Sequence, residues 1–328
     1  MADKVITKLE ELLGVGSDTQ VLAKSGDTVG WMEMSELAEL VADGISTAGS
    51  AVYVTSSDEE TVTLTQYAEY FQSIIVDGEE LQDGSVTGAL TYTFAETGNH
   101  EVTLTLVNSP TTLTYAFQDC TALYSIALPF GSTMTDVSYA FYRCTGMVAC
   151  DVTEWVMKNV TTCQSTFYGC SSLTTLDVSG WDTSKVTTFA LFVQGCSKLT
   201  TLDVSGWDTS KVTDFHQFAL SCTKLTALDG LQLTAATTIA SMCSRGTSLT
   251  TINLVGLGTK SSCTTTTAFY NCTAWEYDSV LQTLLTDSYD RATAGYDALT
   301  ITLPSAVYAL LSEDEIAGIT AKGFTLAT

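Results

Sequence analysis

Basic residues are scarce in this chain. Thirteen Lys plus Arg stand against 37 Asp plus Glu, a formal net charge of −24 over 328 residues, so the basic face needed to release counterions from a nucleic acid is missing. Histidine is scarcer still, with only His100 and His216, and no Cys-x-x-Cys pair accompanies them, which removes the usual short-spaced ligands of a structural zinc site. Nowhere do about 18 uncharged apolar residues run together, so no membrane insertion is expected. The opening MADKVITKLEELLG places Asp3, Lys4, Lys8, Glu10 and Glu11 where a secretion signal needs an unbroken apolar stretch, and the chain reads as soluble, without an export signal of its own. Catalytic signatures are also lacking. There is no G-x-S-x-G elbow, no H-E-x-x-H, no phosphate-cradling glycine loop and no Cys with an evident His partner. So many acids would bring some pair to a glycosidase separation by chance, and the expectation is a protein that is not an enzyme.

What is present suffices for a folded core: 45% of the residues are hydrophobic and 9% aromatic, and the length allows roughly two or three domains. Six of the ten cysteines, at 120, 144, 170, 196, 222 and 272, recur at steps of 24, 26, 26, 26 and 50, and Gly246 fills the gap. Three residues after each of these seven positions comes a large apolar side chain, from Leu123 and Met147 to Leu249 and Trp275. Three residues before them stand Phe117, Phe141, Phe167, Val193, Ala219, Cys243 and Phe269. The copies starting at Ser171 and Ser197 agree over their first 17 residues at all but one position. A period this regular means a solenoid. Each unit reads L-x-x-L-D-V-S-G-W, the short strand of a leucine-rich repeat with its leucines inward. Stacked strands would form a parallel sheet while a V-T-x-x-x-x-x-F segment returns along the opposite face. Buried thiols fit the crowded interior of such a coil; disulfides between turns are the competing reading.

Two outward columns carry the candidate chemistry. Asp151, Asp177, Asp203, Asp229 and Asn253 recur once per turn and alternate outward, beside Thr175, Thr201 and Thr251. Stacked carboxylates repel, so each accepts hydrogen bonds from Ser, Thr or backbone groups of a neighbouring turn, or the column is a ridge for Ca²⁺ or another ligand. Beyond that possible Ca²⁺, no cofactor and no metal is implied. Trp155, Trp181 and Trp207 would suit a sugar platform, but Leu233 and Leu257 replace them in later turns, which favours buried packing. Asp182 and Asp208 read as turn residues.

The flanks differ from the repeat. From about Ala51 to Val107 the chain alternates apolar and polar residues, as in AVYVT and HEVTLTLV, which indicates a small β domain. After Trp275, SVLQTLLTDSYDRA is helical in pattern and ALTITLP is strand-like. A helix spans about Ser312 to Lys322, with Ser312 and Glu315 as a capping box and Gly323 at its end. In the first 47 residues Val5, Leu9 and Leu12 fall on one helical face, and Leu37 and Leu40 on another. Neither helix is long enough to stand alone.

The L-T-x-L-D-V-S-G-W-D-T-S-K-V-T units with one Cys per turn resemble the 26-residue repeats of BspA-like bacterial surface proteins, a branch of the leucine-rich repeats. The match covers about 108 to 275. YTFAETGNHEVTLTL resembles the β module that often leads into such repeats and covers their first turn. GSDTQVLAKSGDTVGWMEMSEL, with Val21, Leu22 and Trp31, resembles a segment near the N-terminus of phage fibre proteins that attaches or trimerises the shaft. The organisation expected is thus mainly β: an N-terminal helical attachment and oligomerisation segment (1–47), a small β-sandwich-like domain (48–107), a BspA-like leucine-rich-repeat solenoid of about seven turns (108–275) and an α/β C-terminal cap (276–328). These resemblances imply a phage virion fibre or capsid-decorating protein made in the host cytoplasm, a homotrimer docked to a capsid or tail protein through its N-terminus and adhering to a host-surface glycan or protein. A bacterial cell-surface adhesin is the alternative and a polysaccharide depolymerase the third reading.

Overall fold

The computed structural model describes residues 20–25, 28–33 and 48–328, apart from 57–58, 77, 83–86, 108–109, 261–262, 266, 277, 279, 281–282, 285–287, 289 and 295. The fold is mainly β and its body is a β-solenoid. Along one side of the coil Thr112, Asp136, Thr162, Thr188, Asp214, Thr238 and Thr264 are joined in sequence by parallel bridges. From each bridge onward, alternate amides bond to the next turn. Cys163, Ser165, Phe167 and Gly169 donate N–H to the carbonyls of Thr188, Ala190, Phe192 and Gln194 at 3.2, 2.9, 2.9 and 2.7 Å. The return segment expected to run merely along the opposite face is therefore the most densely bonded part of the coil.

Its geometry depends on two left-handed residues per turn, four apart: Tyr115 and Asp119, Tyr139 and Arg143, Ser165 and Gly169, Leu191 and Gly195, and so on to Thr267 and Asn271. Each non-glycine residue held at positive φ costs about 1 kcal/mol, and the inter-turn bonds offset that cost. Gly169 and Gly195, at φ +72° and +76°, occupy the second position without it.

The L-x-x-L-D-V segments are less regular than the sequence predicts. They form β9 (Leu123–Ala127) and β10 (Ala149–Asp151), which pair in parallel, and β11 (Ala227–Gln232) and β12 (Thr251–Val255), which also pair in parallel. In the two best repeats, around Leu173–Val178 and Leu199–Val204, no strand forms, and single bonds such as Thr200 N–H to Thr174 O (3.3 Å) link the turns. In those turns the serine two residues after the aspartate gives both its N–H and its hydroxyl to the carboxylate. Thr153 does the same to Asp151, where β10 forms and ends at the aspartate, so this turn limits how far a strand extends beyond the aspartate. Asn253 is followed at the same offset by Val255, and there β12 runs on to Val255, opposite a register shift in β11 between Asp229 and Leu231.

Inside the coil the residue columns stack. Phe117, Phe141 and Phe167 lie in register with ring centroids 5.3 and 5.5 Å apart, and the column of Leu123, Met147, Leu173, Leu199, Leu225 and Leu249 is buried. All ten cysteines are free and buried. Cys144, Cys170, Cys196 and Cys222 each donate S–H to a carbonyl of the preceding turn, those of Phe117, Phe141, Phe167 and Val193, at 2.9, 3.1, 3.1 and 3.0 Å. At Gly246 a Cβ would lie 2.5 Å from Leu249 Cδ1 and 3.0 Å from Cys243 O, so a thiol at that place requires the Leu249 side chain to move.

Before the coil come β3 (Ala48–Thr55), β4 (Glu60–Thr65), β5 (Phe71–Val76), β6 (Glu79–Gln82), β7 (Leu90–Phe94) and β8 (Gly98–Leu106). The order β10-β9-β3-β8-β5-β6 makes one six-stranded sheet, and β4 pairs with β7. Because β3 runs antiparallel to β9, this sheet continues into the first turn of the solenoid, and one buried cluster extends from Ala51 to Phe324. Further upstream β1 (Gln20–Ser25) and β2 (Thr28–Glu33) form an antiparallel hairpin.

At the far end Thr283 Oγ1 donates to Ile252 O (2.6 Å) beside the last coil strand. β13 (Leu299–Thr302) pairs in parallel with β14 (Phe324–Ala327). The helix Glu313–Ala321 starts with the expected capping box of Ser312 and Glu315 and is followed by Gly323 at φ +86°. The helical pattern read over 279–292 does not run its full length, because residues 291–294 form a turn. There Arg291, 1% exposed, gives Nη1 to the carbonyls of Gly258 and Lys260 and Nε and Nη2 to that of Asp297. Among the described residues no helix is long and apolar enough to cross a membrane.

Replacing Arg291 by Ala strands these carbonyls and lowers the unfolding free energy by about 3 kcal/mol in urea titration; a loss under about 1 kcal/mol would show that the clamp is dispensable. Burial pushes the thiols up, Cys222 to about 12 and Cys263 to about 11. A raised folded value stabilises fully below the unfolded thiol value of about 8.5, and that stability is lost as pH rises towards the folded value. Between those limits each such thiol removes about 1.4 kcal/mol per pH unit. Unfolding midpoints measured from pH 8 to 10.5 should fall steeply, and a flat profile contradicts the buried ladder.

Candidate functional site

The outward column is built by alternation. In each repeat the residues before and after the aspartate, such as Leu176 and Val178 or Leu202 and Val204, are buried, which leaves Asp151, Asp177, Asp203 and Asp229 exposed and Asn253 half-buried. Thr175 and Thr201 are exposed beside them and Thr251 is half-buried. The structure thus brings the whole column onto one ridge.

Its hydrogen bonding differs from the expectation that donors come from a neighbouring turn. Asp151 Oδ1 accepts from the N–H and Oγ1 of Thr153 at 3.0 and 2.6 Å, Asp177 Oδ1 from Ser179 at 3.1 and 2.7 Å, and Asp203 Oδ1 from Ser205 at 3.0 and 2.7 Å. The partner lies two residues on in the same turn, the reach of an Asx turn. These bonds hold the Asp151 and Asp203 carboxyls below the ordinary carboxylate value. Hydroxyls that do bridge turns lie in other columns: Thr200, Thr226 and Thr250 Oγ1 donate to Thr174, Thr200 and Thr226 O at 3.4, 3.3 and 3.3 Å, and Thr161, Thr187 and Thr213 Oγ1 donate to Thr135, Thr161 and Thr187 O on the return side.

The ridge is broken at one step. The β11–β12 register shifts between Asp229 and Leu231, and Gly230, at φ +83°, passes so close to the preceding turn that a Cβ would lie 3.1 Å from Ser205 Cα. Beside this bulge a cavity of about 200 Å³ opens, lined by Thr201, Asp203, Thr226, Ala227 and Asp229 and floored by Leu202 and Val204. It offers two carboxylates and two hydroxyls, a hydrogen-bonding surface for a polar ligand.

Trp155, Trp181 and Trp207 are 5, 4 and 2% exposed, stack at 5.5 and 6.0 Å, and donate Nε1–H to Leu128, Val152 and Val178 O. They are interior packing and not a sugar platform. Asp182 and Asp208 accept from Ser184 and Ser210 N–H as turn residues. His216 pairs with Asp214 at 2.8 Å, and the adjoining turns carry Ala190 and Ala240 at its place. Of the attachment residues, Val21, Leu22 and Trp31 lie in the β1–β2 hairpin, where Val21 pairs with Met32 and Leu22 with Trp31. Val5, Leu9, Leu12, Leu37 and Leu40 lie outside the described residues.

A tyrosine cluster escapes the periodic reading of the sequence. Tyr115 stacks on Tyr139, Tyr139 lies against Tyr142, and Tyr142 stacks on Tyr168, at 4.5, 5.7 and 4.6 Å. The 24- and 26-residue steps within it are present in the chain, but Ser165 and Gln194 end the two columns after two turns each.

A family model described as a Mycoplasma protein of unknown function, DUF285, matches residues 135–255, a little over a third of the chain and wholly within the coil. No curated protein and no solved structure matches. These turns are thus similar to a bacterial repeat family to which no function is attached.

Ca²⁺ takes six to eight oxygens, whereas each ridge turn offers at most one carboxylate, and those of Asp151, Asp177 and Asp203 have an oxygen turned back onto their own turn. Among the described residues no group of three or more His, Cys, Asp or Glu side chains is placed to hold a metal. Adding 5 mM Ca²⁺ should leave the thermal midpoint unchanged, and a rise that Asp203→Asn abolishes would establish a cation on the ridge.

Proposed function

We propose that this chain is a non-enzymatic display protein of a phage virion, a fibre or capsid-decorating subunit. Residues 1–47 attach it to a capsid or tail protein and assemble it as a homotrimer, and the coil presents its Thr–Asp ridge to a glycan or protein of the host-cell surface. The observation that supports this reading is how the ridge is held. The carboxylates of Asp151, Asp177 and Asp203 are fixed by short local bonds on a coil whose turns are stapled on the other side, so outward residues can vary without loss of the scaffold. Polar groups spaced one per turn along a line suit an extended ligand more than the convergent geometry of a catalytic centre. Fold alone does not assign the role.

A second reading, a bacterial cell-surface adhesin, gains from the similarity of residues 135–255 to a family described from Mycoplasma. Quantitative mass spectrometry of density-purified phage particles beside the washed envelope of the producing bacteria separates the two. Enrichment in particles at a fixed ratio to the major capsid protein is the expected result, and its copy number distinguishes a capsid decoration from a few tail fibres. Retention in the envelope overturns the virion reading in favour of the adhesin.

A further inference from the structure

Away from the ridge, a cavity of about 570 Å³ lies where the chain between β4 and β5, and the approach to β7, meet the first turn of the coil. It is lined by Gln66, Tyr67, Gly88, Ala89, Gln118 and Asp119. Its size falls within the roughly 300–1,000 Å³ of small-ligand sites. The walls are tied together before any ligand arrives. Gln66 N–H bonds to Ala116 O and its Nε2 to Gln118 O, both at 2.8 Å, while Ala68 N–H reaches Gly88 O and Gly88 N–H reaches Glu69 Oε2, again at 2.8 Å. Such a site spends little ordering entropy on binding.

The lining chemistry is specific. Two carboxamides and a carboxylate face the same space as one aromatic ring. Gln118 Nε2 donates to Asp119 Oδ2 (3.1 Å), and Arg143 Nε holds Asp119 Oδ1 at 3.4 Å, so the carboxylate is oriented from both sides. Tyr67 is backed on one face by Tyr70, with centroids 5.4 Å apart and planes 20° apart. A flat apolar surface beside paired donors and acceptors complements a molecule with an apolar C–H face and a rim of hydroxyls. Asp119, the nearby Glu69 and the net charge of −24 disfavour an anionic ligand. Tyr115, Tyr139, Tyr142 and Tyr168 continue from the cavity over successive turns. Because their rings stack on each other, they offer phenol edges, a row of hydroxyl donors along which a longer chain can lie. Like any phenol these hydroxyls are protonated at neutral pH and can donate; burial and the neighbouring phenols push those of Tyr115 and Tyr142 further up.

We propose that the Gln66–Tyr67–Gln118–Asp119 cavity binds a neutral pyranose sugar, with the tyrosine row guiding the rest of an uncharged oligosaccharide. This site is separate from the Thr–Asp ridge and does not depend on where the protein is carried.

The test uses the full chain and saturation-transfer NMR with methyl glycosides of glucose, galactose, mannose and N-acetylglucosamine, with N-acetylneuraminic acid as the anionic probe. At least one neutral glycoside should receive saturation. Its affinity should fall at least tenfold in Tyr67→Ala and in Gln118→Glu, which keeps the side-chain size and adds charge beside Asp119. It should be largely kept in Tyr67→Phe and unchanged in Asp203→Ala. No transfer to any neutral glycoside at 10 mM overturns the proposal, as does transfer to the anionic probe alone or transfer untouched by either cavity substitution. Binding lost in Asp203→Ala and kept in Gln118→Glu would move the sugar to the ridge and overturn this site while leaving the adhesive reading in place.

Discussion

Everything in the coil depends on the backbone bonds between successive turns on its return side. Four amides per step, two residues apart, reach carbonyls of the next turn, and this spacing requires the chain to pass through the left-handed region twice in five residues. Seen one residue at a time the arrangement is unfavourable, since Tyr, Arg, Ser, Leu, Gln and Thr all occupy positive φ. Seen as a stack it is self-consistent, because each turn is the template that fixes the next and no isolated turn would hold its shape.

That dependence explains what could be read from the sequence and what could not. The interior announced itself, because close packing admits few side chains at each level: Cys170, Cys196 and Cys222, Leu173, Leu199 and Leu225, and Trp155, Trp181 and Trp207 recur at a fixed step and all are buried. The capping box of Ser312 and Glu315 was equally plain, since its chemistry is local. The left-handed pairs left no such mark, because Asp119, Arg143, Gly169, Gly195 and Ser221 share a backbone conformation and no side-chain property. Strand formation does not follow the regularity of the repeat. The most regular repeats, around Leu173–Val178 and Leu199–Val204, form no strand, so the clearest sequence signal marks the least sheet-like turns.

The same contrast separates the two polar surfaces. The Asp column is periodic and therefore conspicuous, yet three of its carboxylates bond within their own turns. The cavity beside Tyr67 draws on Gln66 and Gly88 from the leading strands and Gln118 from the first turn. The continuation of the β3 sheet into β9 and the bonds from Gln66 to Ala116 and Gln118 bring them together, and no spacing rule along the chain anticipates it.

The direction of the inter-turn bonds has a mechanical corollary. They run along the axis of the coil, so a pull between its two ends loads them in tension and not in shear, and the rows open in succession instead of sharing the force. The thinnest rows lie between the turns of Leu173, Leu199 and Leu225, where the strand ladder is missing and the return side carries most of the connection. A tether of this build yields in steps, lengthening turn by turn from its middle while the sheet-backed first turns and the Arg291-clamped end stay folded.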